Sequence, residues 1–181
     1  MNGVINIGAR SVHFLVCLVL PAVMALHLGG CSSGPSYGRH EIEVCLSDQL
    51  KGKTVEVDLI PVMNEADLAD WQMQNVTQYF STGNSKRRET VGRQEFKFSS
   101  GDSGCKTVSA RDPGWDAAWK GARSIVILAN IPFLEGQGGV PGDTRRKDVT
   151  MQKGSWEGDR VQVQIGESGV RILTPQKQPK S

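Results

Sequence analysis

Ser124-Ile125-Val126-Ile127-Leu128-Ala129 is the most apolar stretch of the chain beyond residue 30. A strand with one solvated face alternates polar and apolar residues, whereas a continuous apolar run has no side to give to water. The stretch therefore predicts a central strand covered on both faces. Its neighbours read differently. Glu41-Ile42-Glu43-Val44-Cys45-Leu46 alternates, as does Thr54 to Val62, with Val55, Val57 and Leu59 on one face and Glu56 and Asp58 on the other. Pro61 belongs at the end of that second strand, because proline cannot donate to a sheet ladder. Phe96 and Phe98 alternate with Glu95 and Lys97, and Cys105 to Ala110 starts a short fourth strand. Lys147 to Met151 and Arg160 to Ile165 alternate again. The latter meets Val170-Arg171-Ile172-Leu173 across Gly166-Glu167-Ser168-Gly169, a hairpin with a short loop.

Two helices interrupt this pattern. Asn64 is a favoured N-cap, and Glu65 and Asp67 put negative charge in the first turn. Leu68, Trp71 and Val76 supply the buried side, while Val76, Thr77, Tyr79 and Phe80 propagate a helix poorly. Thr82 to Ser85 is a loop, and the basic run Lys86-Arg87-Arg88 follows it. Asp112-Pro113 opens a second helix, whose Trp115, Ala118 and Trp119 form an apolar stripe that stops at Gly121. Short strands with two brief inserted helices predict a mainly β protein, an antiparallel β-sandwich over residues 41–174. Ile131 to Asp143 is a long Gly- and Pro-rich loop. Residues 175–181 form a polar, basic tail expected to be disordered.

A short segment whose charges are Arg10 and the amino terminus precedes an apolar run from Val12 to Leu26, and Leu28-Gly29-Gly30-Cys31 follows it. A positive start, an apolar middle and small residues at the cut describe a secretory signal peptide. The apolar run is shorter than the roughly 20 residues that span a bilayer, and Pro21 and His13 weaken it further. Leu-Gly-Gly-Cys resembles the lipobox of bacterial lipoproteins. The resemblance implies cleavage after Gly30, diacylglycerol on Cys31 and acylation of the new amino terminus. Two or three chains give a stable anchor where one does not. Ser32 after the cysteine, with no Asp there, resembles the pattern that sorts lipoproteins to the outer membrane. Residues 31–40, rich in Ser, Gly and Pro, then read as a tether.

The whole chain of 181 residues has a net charge of +2. Residues 1–30 contribute Arg10 and no acidic residue, so the remainder is close to neutral. That balance argues against a nucleic-acid partner. Cys17 leaves with the signal and Cys31 is consumed by lipid, which leaves Cys45 and Cys105. Two cysteines in an oxidising compartment read as a disulfide, the alternative being two separate buried thiols. Beyond residue 30 the chain has one histidine, His40, and no Cys-x-x-Cys pair, so neither a zinc site nor any other cofactor is expected.

No catalytic constellation emerges. A Ser-His-Asp or Cys-His site would have to use His40, in the tether. Glu65, Asp67 and Asp70 read as a solvated helix face. Trp71, Trp115, Trp119 and Trp156 could form a platform for a glycan, although aromatics at helical spacing are more often core. Lys86-Arg87-Arg88 and Arg145-Arg146-Lys147 read as solvated loop charge or as contacts for an acidic partner or phosphate-bearing lipid. Arg145 and Arg146 are the partner-binding candidates.

The order of strand, helical insertion, strand pair, apolar strand Ile125 to Ala129, loop, Arg145, Trp156 and terminal hairpin resembles the outer-membrane lipoprotein family of type VI secretion. The resemblance implies a transthyretin-like β-sandwich that docks an inner-membrane component. It also implies a contact loop between the first two strands, at Ser47 to Lys53, a segment that is short here. The expected function is a non-enzymatic lipoprotein on the periplasmic face of the outer membrane that docks an envelope protein. The alternative is a periplasmic ligand- or glycan-binding lipoprotein.

Overall fold

A computed structural model describes residues 35–132 and 141–177. The signal segment, Cys31, residues 133–140 of the long loop and the tail beyond 177 lie outside the described residues. The strands are β1 (Glu41–Leu46), β2 (Val55–Val62), β3 (Gln94–Phe98), β4 (Cys105–Val108), β5 (Ser124–Asn130), β6 (Arg146–Thr150), β7 (Arg160–Gly166) and β8 (Gly169–Ile172). They form two four-stranded sheets, ordered β4-β1-β7-β8 and β3-β2-β5-β6. The two sheets pack into a sandwich. Ile42, Val44 and Leu46 of β1 and Val161, Val163 and Ile165 of β7 share one buried core with Val57, Leu59, Phe98, Ile125 and Ile127 of the other sheet.

Most pairings are antiparallel, but β1 runs parallel to β7, with Ile42 opposite Val161 and Leu46 opposite Ile165. Period-2 alternation says which face of a strand is buried, not which way its neighbour runs. The parallel pair is therefore invisible in the sequence.

β5 is covered on both faces as its composition predicts. Ile125, Ile127 and Ala129 point into the sandwich, while Val126 and Leu128 join a second cluster with Ile60, Val62, Trp71, Val76 and Tyr79. That outer cover comes from two short helices, α1 (Glu65–Gln72) and α2 (Val76–Tyr79), and a third, α3 (Ser85–Glu89), follows without burying a residue of its own. The single helix expected from Asn64 to Phe80 is thus two. Asn64 caps α1 through Asp67 N–H, and Asn75 caps α2 through Gln78 N–H. The second cap restarts the chain where the β-branched and aromatic residues begin. A third asparagine, Asn84, caps α3 over the basic run that had read as loop. The Asp112-Pro113 helix is present as a π-helical turn, Trp115–Trp119.

Residues 36–40 are not a free tether. Lys153 N–H donates to Ser36 O at 2.9 Å, Gly38 N–H donates to Met151 O at 2.8 Å, and Tyr37 bridges Gln152. At the other terminus Trp156 bridges Gln176, and Lys177 N–H donates to Ser155 O, so residues up to 177 are held rather than loose. Backbone pairing of this kind carries no side-chain pattern, which is why Ser-, Gly- and Pro-rich composition misreads it. Gly169 is required where it stands. Its φ is +124°, and a Cβ there would lie 2.3 Å from Thr144 O, whose carbonyl accepts from Val170 N–H.

Cys45 and Cys105 form a disulfide across a sequence separation of 60 residues, directly opposite each other in the β1–β4 register. Val44 and Leu46 take the inner face, so the bridge lies on the outer one, with Cys105 exposed. It ties the short edge strand β4 to β1. Chain entropy alone gives such a link about 4 kcal/mol. Reduction should lower the denaturant midpoint markedly, and thiol titration of the denatured, unreduced chain should find both cysteines blocked.

Candidate functional site

The densest polar cluster lies on the outer face of β2 and β3. Asp58 and Glu95 sit opposite each other in the β2–β3 register, and Glu56 lies two residues along on the same face. Three carboxylates so close repel each other unless a cation intervenes. Arg87 of α3 supplies it. Its Nε donates to Asp58 at 2.8 Å, Nη1 to Glu56 at 3.1 Å and Nη2 to Glu95 at 3.0 Å. Arg93 Nη1 donates to Asp58 at 3.0 Å, and Tyr79 OH donates to the same carboxylate at 2.9 Å. Asp58 is fully buried. Burial, and then the Asp58 charge, push the Tyr79 hydroxyl above its ordinary value, so it remains a donor. No water-exposed nucleophile enters this cluster. Its chemistry is that of a clamp between helices and sheet, and Asp58 is the residue that pattern reading missed. The available signal was the pairing of an acidic strand face with the basic run at Lys86 to Arg88.

Arg145 and Arg146 do not face solvent. They are 6% and 9% exposed. Arg145 holds Asp143 through Nε at 2.9 Å and Nη2 at 2.6 Å, and reaches Thr77 Oγ1 at 3.1 Å. Arg146 Nη1 donates to Gln74 O at 2.7 Å. Burial works to raise the Asp143 carboxyl, but its bonds to Arg145 and that charge hold it below its ordinary value. The two arginines join the start of β6 to the helical layer, and a docking surface has to be sought elsewhere. An isolated pair of arginines after a Gly-rich loop looks solvated in sequence, because the groups that bury it lie some 70 residues away.

The tryptophans are core. Trp71, Trp115, Trp119 and Trp156 are each at most 8% exposed. Trp119 Nε1 donates to Gly92 O at 2.6 Å and Trp156 Nε1 to Thr150 O at 2.8 Å. The hollow beside Trp115 and Trp119 measures about 180 Å³, below the roughly 300 Å³ at which small-molecule pockets begin. Among the described residues no group of three or more His, Cys, Asp or Glu could hold a metal ion. No helix among them is long and apolar enough to cross a membrane.

His40 is 8% exposed at the entry to β1, and its Nε2 has no partner among the described residues. Burial holds its pKa below the ordinary value against the opposing pull of the Gln152 backbone and the Asp159 charge. It is a packed residue rather than part of a free tether.

The β1–β2 turn, Ser47 to Lys53, is exposed at Asp48, Gln49, Lys51, Gly52 and Lys53 but anchored by Leu50, which is 2% exposed. Leu50 N–H and Lys51 N–H both donate to Ser47 O, and Lys53 Nζ pairs with Glu167 of the β7–β8 hairpin at 3.1 Å. The Gly104 backbone packs beside Lys51, bringing the β3–β4 turn to the same end. β2 runs away from this end and β5 returns to it at Asn130, so the long loop emerges here too. The turn is thus preordered and flanked by the β3–β4 turn and the β7–β8 hairpin.

By its fold the chain is a mainly β sandwich protein with a helical layer on one sheet. No family model and no curated protein sequence matches it. Among solved structures it is similar to Serratia marcescens Lip, a membrane-bound component of the type VI secretion system. That match has 13% identity, covers 74% of this chain and 97% of the other, and has a TM-score of 0.47. It is also similar to the type VI secretion lipoprotein TssJ1 from Pseudomonas aeruginosa, at 13% identity, 80% and 100% coverage and a TM-score of 0.48. A chain of a type VI membrane complex matches at 13% identity, 76% and 99% coverage and a TM-score of 0.47.

Two outcomes follow from the buried polar groups. Asp58→Asn strips the charge that Arg87 and Arg93 share. Unpairing buried charges costs about 3 kcal/mol or more, so urea unfolding should show that loss, while Tyr79→Phe should cost about 1–2 kcal/mol. His40 has a lower pKa folded than unfolded, where it is about 6.5. The unfolded chain therefore takes up its proton first as pH falls. The His40 contribution to stability should be complete above about pH 6.5 and decline below it, and His40→Gln should flatten the unfolding midpoint in that window.

Proposed function

We propose that the chain is a lipid-anchored module of the bacterial envelope that docks a protein partner and catalyses no reaction. Cys31 is the lipid attachment site, and the outer membrane, on its periplasmic face, is the location. The order of elements that resembles the type VI secretion lipoproteins names the setting. The observation that carries the docking reading is the filled interior. The four tryptophans and the Asp58 and Asp143 clusters are consumed in packing and internal bonds, which turns the reading to groups displayed on the surface. Loops displayed by a rigid sandwich are natural contact surfaces. The preordered turn at Ser47 to Lys53 is the first candidate, because an ordered loop loses little entropy on binding. The neighbouring loop from Ile131 to Asp143 is the second.

A photo-activated cross-linker placed at Gln49 in intact cells should capture an envelope protein, while one at Gln78, on the helical layer, should not. Recovery of nothing through Gln49 and nothing through a second cross-linker in the Ile131 to Asp143 loop would remove the docking reading. The anchor has its own check. Cys31→Ala should leave an unprocessed or mislocalised precursor, and a mature chain with unmodified Cys31 in the mass spectrum would refute lipidation.

A further inference from the structure

The Cys45–Cys105 bridge stands where a reagent in solution can reach it. Val44 and Leu46 point into the core, so the two cysteines point outward from their sheet, and the helical layer covers the other sheet. Cys105 is exposed and Cys45 half-buried. β4 is an edge strand, paired with β1 alone among the described residues. A thiolate can therefore approach the Cys105 sulfur from solvent, and exposed disulfides are the ones open to exchange.

Little else holds β4. It has 4 residues, and among the described residues between Phe98 and Trp115 the one buried side chain is that of Val108. Lys106 adds a pair with Asp102 at 3.3 Å and a contact with the Phe98 ring at 5.4 Å. Both involve partly exposed groups and are weak. β1, in contrast, pairs with β7 along its whole length and keeps Ile42, Val44 and Leu46 in the core. Edge segments with few buried contacts are the first to open locally. Opening the bridge therefore frees the segment from Ser99 to Gly114, not the sandwich.

What the bridge braces is the end proposed to dock. Leu46, between Cys45 and the Ser47–Lys53 turn, donates its N–H to Gly104 O at 2.7 Å, and the Gly104 backbone packs beside Lys51. Both contacts go when β4 is released. The turn then loses the β3–β4 flank and keeps the other, where Lys53 pairs with Glu167.

Resting on the docking reading, we infer that Cys45–Cys105 is a thiol–disulfide exchange site, opened at Cys105 by a dithiol while the sandwich stays folded, and that its closure orders the Ser47–Lys53 turn for docking. One thiolate of the dithiol attacks the Cys105 sulfur. The bond between the two cysteines breaks, and Cys45 leaves as a thiolate that takes up a proton. The second thiolate of the dithiol then attacks its own partner sulfur in the mixed disulfide, and Cys105 leaves and is protonated in turn. The protein has gained two electrons and two protons, and the dithiol has become a disulfide. A disulfide-bearing oxidant closes the bridge by the reverse steps. In a reducing compartment the docking end is loose, and oxidation on export sets it.

The test treats the full, folded chain with dithiothreitol in the absence of denaturant, blocks free thiols by alkylation and follows amide hydrogen exchange. Both cysteines should be alkylated. The amides of Leu46 and of residues 99–108 should exchange at least about tenfold faster, and those of Leu50, Lys51 and Lys53 at least about threefold faster. Those of β5 and β7 should change by less than about twofold. This arm needs no variant. The double variant Cys45→Ser, Cys105→Ser should show the same pattern before any reductant is added and no response to it. A bridge that opens only in denaturant, an unchanged Ser47–Lys53 turn, or loss of protection in β5 and β7 along with the rest overturns the inference. The docking reading is tested separately, by capture through Gln49 or the Ile131 to Asp143 loop in the unreduced parent. Failure of capture leaves the exchange result standing, and failure of exchange leaves the capture.

Discussion

The outer face of β5 is the constraint around which the structure is arranged. Val126 and Leu128 have no exposure to water, and neither the second sheet nor a neighbouring strand can reach their side of the sheet. Something has to be inserted there, and the chain inserts it between β2 and β3 as three short helices. Individually these are too short to persist in water. They are held by what they cover and by arginines at two places. Arg87 reaches down from α3 into the carboxylates of β2 and β3, and Arg145 and Arg146 reach up from β6 to Thr77 and Gln74. Each arginine satisfies several acceptors with one planar fork, which lysine could not do.

This arrangement separates stability from display. Arg87, Arg145 and Arg146, which would attract attention as binding groups, are occupied by internal partners. So are the tryptophans, two of which pack edge to face with ring centroids 4.9 Å apart at one end of the sandwich. Gly92 shows how tightly that end is closed. Its carbonyl accepts from Trp119, its φ is +73°, and a Cβ would lie 2.8 Å from Ala118 Cβ. The opposite end is built differently, from turns and a hairpin linked by exposed ion pairs such as Lys53 with Glu167. Exposed pairs of this kind add little stability, so their residues can vary without cost to the fold. One end is therefore closed by packing and the other is open to exchange of side chains.

Local chemistry made much of the architecture legible in the sequence. The alternation of β1, β2 and β7, the unbroken apolar run of β5 and the Asn64 cap each depend on a few neighbouring residues, and the two remaining cysteines had one possible intramolecular partner each. What tertiary structure alone decided are the matters that depend on residues far apart in the chain. The parallel pairing of β1 with β7 is one, since face alternation is blind to strand direction. The packing of Trp71 and Tyr79 onto one sheet face from two helices is another, since the Asn75 cap that separates the helices is local but the sheet they cover is not. The burial of Asp58 and of Arg145 and Arg146 is a third. A charged side chain reads as solvated until its partners are known, and those partners come from other elements. The pattern read as a leader and lipobox lay wholly in the sequence, as one contiguous segment. The length of chain between Cys31 and the fold did not, because backbone pairing at Ser36 and Gly38 involves no side chain that a sequence could display.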